Sequence, residues 1–125
     1  MSDLYFGLKN MPERSQKPRN GGLCMVMDKG LSIREVEDFL EVASNYTDIV
    51  KLGFGTGILT PKLDVKLKLY REAGIPVYFG GTLFEAYLVR DQLDDYRRLL
   101  EKTGITYVEV SDGSLEIPHD EKCEI

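Results

Sequence analysis

The chain has 125 residues, 42% hydrophobic and 30% charged, with a formal net charge of −5. That length suits one ordinary domain, and the acidic balance argues against a nucleic-acid partner, because phosphate backbones need a basic face. No run of 18 or more apolar residues exists, so no membrane span is expected, and the polar first twenty residues lack the apolar core of a secretory signal. Cys24 and Cys123 are the only cysteines, too few for a disulfide framework, so a reducing cytoplasm is the expected setting.

Residues 1–22 read as an N-terminal arm whose basic stretch "ERSQKPR" is expected to be solvated. "LCMVMD" (23–28) predicts a first strand. "SIREVEDFLEVASNY" (32–46) predicts a helix: Ser32 with Glu35 makes a capping box, and Ile33, Val36, Phe39, Leu40 and Ala43 share one face. "DIVKLG" (48–53) predicts a second strand. "TPKLDVKLKLYREAG" (60–74) predicts a second helix, with Thr60 as N-cap, Pro61 in the first turn and Gly74 just past the end. "PVYF" (76–79) predicts a third strand. "TLFEAYLVRDQLDDYRRLLEKTG" (82–104) holds one bent helix or two; Thr82 and Glu85 suggest another capping box, and Asp91 could cap a second segment. "TYVEVS" (106–111) predicts a fourth strand, and "SLEIPHDEKCEI" a further helix start with Pro118 in its first turn.

The strands begin near 23, 48, 76 and 106, a spacing of one βα unit, which implies a parallel sheet covered by helices. Alternation sets Val50 and Leu52 against Ile49 and Lys51, Val77 and Phe79 against Tyr78, and Val108 and Val110 against Tyr107, Glu109 and Ser111. Asp28 shares a face with Cys24 and Val26. The expectation is one apolar face carrying helices, and another collecting Asp28, Lys51, Tyr78, Glu109 and Ser111 near strand C-termini. An open doubly wound sheet, as in a flavodoxin-like binding module, should be apolar on both faces, whereas a barrel mouth is polar. The fold class is therefore α/β, of the (β/α)8 TIM-barrel family, here a half barrel of about four βα units over residues 23–125; a closed barrel takes ~250 residues. An unpaired ammonium in an apolar core costs several kcal/mol or loses its proton. Lys51 is accordingly expected to face the barrel mouth.

Several residues could carry chemistry. "GFGTG" (53–57) departs from G-x-G-x-x-G and opens directly on no helix, so a dinucleotide reading is poorly supported; Gly53, Gly55 and Thr56 form either a flexible loop or an anion-facing backbone. Gly80, Gly81 and Thr82 lead into a helix, as a tight turn or a phosphate or carboxylate cradle. Asp28, Glu109 and Asp112 could form an oxygen-rich Mg2+ site, or be solvated or lysine-paired. Lys29 and Lys51 could bind an anionic substrate, although Lys29 alone is more often a surface loop residue. His119, the sole histidine, is expected to be solvated, so His-based triads and multi-histidine metal sites are poorly supported.

Four blocks, "GLCMVMDKGLS", "DIVKLGFGT", "YFGGTLFE" and "YVEVSDGSLEIP", closely resemble in order and spacing the N-terminal half of the phosphosulfolactate synthase family, from about Arg19 onward. The resemblance implies a (β/α)8 barrel and a lyase that adds sulfite to phosphoenolpyruvate, using Mg2+, to give (2R)-phospho-3-sulfolactate in coenzyme M biosynthesis. On this reading Lys51 and Lys29 are the catalytic candidates, binding or polarising anionic groups. By residue type and position, Gly53, Gly55, Thr56, Gly80, Gly81, Thr82 and Ser111 would contact substrate, and Glu109 with Asp112 or Asp28 would hold the metal. Phe79 stands where proline is expected, Phe54 stands for a more usual tryptophan, and the family's later strands are absent. The alternative on the same scaffold is a non-catalytic, stress-associated relative. Open strand edges invite pairing, so self-association into a homo-oligomer is expected.

Overall fold

Three short strands, β1 (Met25–Asp28), β2 (Ile49–Leu52) and β3 (Val77–Phe79), form a parallel sheet in sequence order in the computed structural model, which describes residues 7–125. Met27, Lys51 and Tyr78 stand side by side across it, as do Asp28, Leu52 and Phe79. The helices are α1 (Ile33–Ala43), α2 (Leu63–Glu72), α3 (Gly81–Leu88), α4 (Leu93–Thr103) and α5 (His119–Glu124). Among the described residues no helix is long and apolar enough to cross a membrane.

Local chemistry sets most boundaries. At α1 the Glu35 amide donates to Ser32 Oγ and the Ser32 amide to Glu35 Oε2, so the expected capping box forms. The start of α2 is later than expected. Residues 53–59 coil into short 3-10 turns, the Thr60 hydroxyl donates to the Thr56 carbonyl, and Lys62 takes the N-cap place at φ 54°. Gly74 ends α2 at φ 72° as expected. The stretch 82–104 is two helices, and the Thr82–Glu85 box does not form: Gly80 occupies the N-cap place with no side-chain bond. Part of the expected N-terminal arm is tied down. The Arg19 guanidinium bridges Asp48 at 2.7 Å and donates to Asn45 O, while Lys17 Nζ donates to Ser44 O. The first six residues of that arm lie outside the described ones.

The core lies on one face of the sheet. Val50, Leu52, Val77 and Phe79 are buried there against Val36 of α1, Leu67 and Tyr70 of α2, Leu83 and Phe84 of α3 and Tyr96 of α4. The opposite, inner face keeps Met25 exposed and Met27, Ile49, Lys51 and Tyr78 half-exposed.

The sheet differs from expectation in two respects. Asp28 does not join Lys51: the register sets it beside Leu52 on the helix-covered face. There it is 1% exposed and accepts from Lys66 Nζ (3.0 Å), the Tyr70 hydroxyl (2.9 Å) and the amides of Gly30 and Leu31 (2.8 Å each). Residues 106–111 do not make a fourth strand, since no backbone hydrogen bond joins them to β3. A cavity of about 240 Å3, lined by Pro76, Val77, Gly104, Ile105 and Thr106 among others, lies beside the start of this segment. Tyr107, Val108 and Val110 are exposed.

Burial pushes the Asp28 carboxyl up, but the Leu31 and Gly30 amides, Lys66 and Tyr70 outweigh it and hold it below the ordinary aspartate range. Breaking a buried pair strands the remaining charge. Asp28→Ala should therefore cost about 3–5 kcal/mol in urea unfolding, and the double change Asp28→Asn, Lys66→Met should recover part of it. A lowered folded-state pKa gives stability that is present above the unfolded value, near 3.8, and lost as pH falls through the folded one. The wild type should lose this contribution in that acid range and Asp28→Asn should not; a cost for Asp28→Ala below about 1 kcal/mol would contradict the assignment.

Candidate functional site

The inner face of β2 carries a single cation. Lys51 Nζ lies 2.8 Å from each carboxylate oxygen of Glu109, in a bridge that is only partly covered, with 17% of the lysine and 32% of the glutamate side chain exposed. Bidentate contact with a half-desolvated carboxylate restrains the ammonium far better than a surface pair would. Glu109 Oε1 also accepts from the Gly81 amide, the first of α3, at 3.0 Å. One carboxylate thus joins a lysine to a helix N-terminus, where negative charge is stabilised by unpaired N–H groups.

Burial pushes the Glu109 carboxyl up; Lys51, the Gly81 amide and Tyr78 outweigh it and hold it below the ordinary glutamate range. Tyr78, beside Lys51 on β3, is raised by burial and by the Glu109 charge, with Lys51 opposing. The Tyr96 phenol is pushed up to about 12 by burial, with Glu109 and Tyr87 adding to it.

The two glycines before α3 are needed for close approach. A Cβ on Gly80 would come within 2.8 Å of Lys51 Cε, and one on Gly81 within 2.1 Å of Ser111 Oγ and 2.8 Å of Glu109 Oε1. The "GG" pair therefore lets the 109–111 segment and the lysine stem lie against the helix start. At this helix start, expected as a tight turn or an anion cradle, the first amide donates to the protein's own Glu109 carboxylate.

Of the expected site residues, the structure brings together Lys51, Glu109, Gly80 and Gly81. Ser111 stands beside them with its hydroxyl donated to Glu85 Oε2 at 2.8 Å. Thr82 is exposed in the first turn of α3. Gly53 lies against the Met27 side chain, and Gly55 (φ 70°) and Thr56, whose hydroxyl donates to Gly53 O, shape the turn after β2. Lys29 stands in solvent, its ammonium 5.6 Å from the centroid of the exposed Phe54 ring. The three proposed metal ligands do not converge: Asp28 is on the other face with Lys66, and Asp112 pairs with Lys122 at 3.0 Å. Among the described residues no three His, Cys, Asp or Glu side chains form a metal-holding group.

The sequence reading missed the partner role of two residues, Lys66 and Glu85. Lys66 occupies the apolar stripe Leu63, Lys66, Leu67, Tyr70 of α2, a spacing that signals burial and hence a buried carboxylate partner. Glu85, 4% exposed, sits in the otherwise apolar α3, where a carboxylate also needs an internal partner.

The family model for (2R)-phospho-3-sulfolactate synthase (ComA) matches residues 12–125. The chain belongs to the phosphosulfolactate synthase family. It is 39% identical over 116 residues to phosphosulfolactate synthase of Methanothermobacter thermautotrophicus, covering 91% of this chain and 45% of that protein. It is 37% identical over 113 residues to phosphosulfolactate synthase of Bacillus subtilis, covering 90% and 45%. The protein of the same name from Methanocaldococcus jannaschii is 44% identical over 103 residues, covering 81% and 41%. The chain thus spans less than half the length of these curated relatives. As a phosphosulfolactate synthase family member it shares its α/β pattern of parallel strands and helices with an enzyme family.

The steric role of Gly81 is directly testable. Gly81→Ala should displace the 109–111 segment and speed hydrogen exchange of the residue-81 amide by about tenfold or more, as loss of a charge-assisted hydrogen bond implies. Gly113→Ala, where a Cβ would meet nothing within 4 Å, should leave that rate unchanged. Equal rates in wild type and Gly81→Ala would contradict the packing described.

Proposed function

We propose that the inner-face rim of this chain binds the anionic groups of phosphoenolpyruvate and sulfite in a phosphosulfolactate synthase reaction, within the (β/α)8 barrel that the family resemblance implies. The observation that supports this most is Lys51: an ammonium at the C-terminal end of a parallel strand, on the face free of helices, held by one carboxylate. Barrel enzymes place their chemistry at that end of the strands.

In the addition, the sulfur lone pair forms a bond to C3 of the enol ester. The displaced π electrons run through C2 to the carboxylate, and a proton then adds at C2; nothing leaves. The demand on the protein is stabilisation of charge developing on that carboxylate. Lys51 meets it as a positioned hydrogen-bond donor. Glu109 restrains the lysine before substrate arrives and yields its donors, Lys51 Nζ and the Gly81 amide, to the substrate's own anionic groups. Lys29, exposed beside Phe54, draws anions toward the rim.

When bound, Mg2+ would add Lewis-acid stabilisation of the same charge. Asp28, Glu109 and Asp112 do not fit one octahedral shell, since Asp28 and Asp112 are each held by a lysine away from Glu109. A second reading, a non-catalytic scaffold, draws on the fact that Glu109 already satisfies both Lys51 and the Gly81 amide. A flavodoxin-like module is disfavoured because the described helices cover one sheet face. The uncovered inner face supports the expected self-association.

The test is phosphoenolpyruvate consumption with sulfite and Mg2+. Lys51→Ala should lower kcat/KM about 10²-fold or more, the usual cost of removing one preorganised donor, and Lys29→Ala should cost less. No turnover by the wild type, or equal turnover by Lys51→Ala, would contradict the proposal.

A further inference from the structure

We propose that Glu85 is a positioning residue, whose buried carboxylate grips the 111–115 turn and thereby sets the approach of Glu109 to Lys51. The inference rests on reading Lys51 and Glu109 as the working pair.

Glu85 Oε1 accepts from the Ser114 amide at 2.7 Å and the Leu115 amide at 3.2 Å, and Oε2 accepts from the Ser111 hydroxyl at 2.8 Å. All three donors come from one turn, 26 to 30 residues further on. No cation bridges Glu85 among the described residues. A carboxylate 4% exposed is costly to bury and is retained only where donors are aimed at it. Consecutive amides directed at one oxygen form the kind of backbone concavity that holds an anion. Here the anion is the helix's own side chain.

The segment this turn belongs to has little else to hold it. Residues 106–111 make no ladder with β3, and Tyr107, Val108 and Val110 are exposed. Side-chain contacts fix it instead: besides the Lys51 bridge, Glu109 reaches from the segment to the Gly81 amide of α3, and Glu85 reaches from α3 back to the segment. Ser111 is two residues from Glu109. Two residues of extended chain span only about 7 Å, so an anchored Ser111 keeps the Glu109 backbone near the start of α3, and releasing Ser111 removes that limit. The Lys51 bridge, at 2.8 Å, is lost by about 3.5 Å.

The experiment measures the rate at which an amine-directed acetylating reagent labels Lys51, read by peptide mass spectrometry with exposed Lys29 as internal reference. It needs no turnover, so an inactive protein leaves it interpretable and its failure is separate from failure of the proposed reaction. Glu109→Gln should speed Lys51 labelling by about tenfold, as expected for losing a charge-assisted bond. Glu85→Ala should speed it comparably, and Glu85→Gln, which keeps an acceptor for the two amides, by less. The double variant Glu85→Ala, Glu109→Gln should label no faster than Glu109→Gln alone, because the two lie on one path. Unchanged Lys51 labelling in Glu85→Ala, or additive effects in the double variant, would overturn the proposal. If Glu85→Ala does not fold, Ser111→Ala decides: faster labelling supports the proposal and an unchanged rate overturns it.

Discussion

A lysine on a parallel strand must find a carboxylate or face water, and Lys51 finds Glu109, 58 residues further along the chain. Much of the rim follows from that bridge. The segment carrying Glu109 must cross the start of α3, so Gly80 and Gly81 carry no side chains there. The carboxylate then lies within reach of the first amide of α3, and the helix N-terminus is satisfied by a group that belongs to the protein. Lys51 Nζ and the Gly81 amide are thereby oriented by a single carboxylate.

The chain holds two lysine–carboxylate pairs on opposite faces of one sheet, and their surroundings separate their roles. Asp28 and Lys66 are each about 1% exposed, with Tyr70 and two loop amides completing the network. Both Asp28 carboxylate oxygens are hydrogen-bonded, so the group closes the β1–α1 turn and ties α2 to β1. Burial and the Asp28 charge raise the Tyr70 phenol, which keeps it a donor. Lys51 and Glu109 remain partly open to solvent on a face free of helices. A desolvated, saturated pair is structural, since opening it leaves a charge with no replacement for water. A half-open pair exchanges its partner at lower cost.

Much of the frame was legible in the sequence. The alternation of short apolar runs with amphipathic stretches gives the β–α order, Ser32 and Glu35 give the start of α1, Gly74 gives the end of α2, and alternation within β2 and β3 gives the inner placement of Lys51 and Tyr78. What was not legible depends on register between elements. Period-two alternation orders residues within a strand but does not say which face of β1 matches which face of β2, so Asp28 fell on the wrong side. Its company with Val26 and the lysine in the apolar stripe of α2 were the available signals. "TYVEVS" has strand composition, but pairing needs a backbone edge within reach, and side-chain contacts hold this segment instead. Thr82 and Glu85 match the capping-box spacing as well as Ser32 and Glu35 do. Only the tertiary position of the 111–115 turn separates a cap from a tether.

Lys51 and Glu109 touch on the inner face of the sheet. A carbodiimide converts a lysine and a carboxylate in contact into an amide with no spacer, so peptide mapping after mild treatment of the intact chain tests it most directly. The bridge described predicts a cross-linked pair of peptides joined through Lys51 and Glu109, absent in Glu109→Gln. Cross-linking of Lys51 to Asp28, or modification of Lys51 and Glu109 only as separate, unlinked residues, would contradict it.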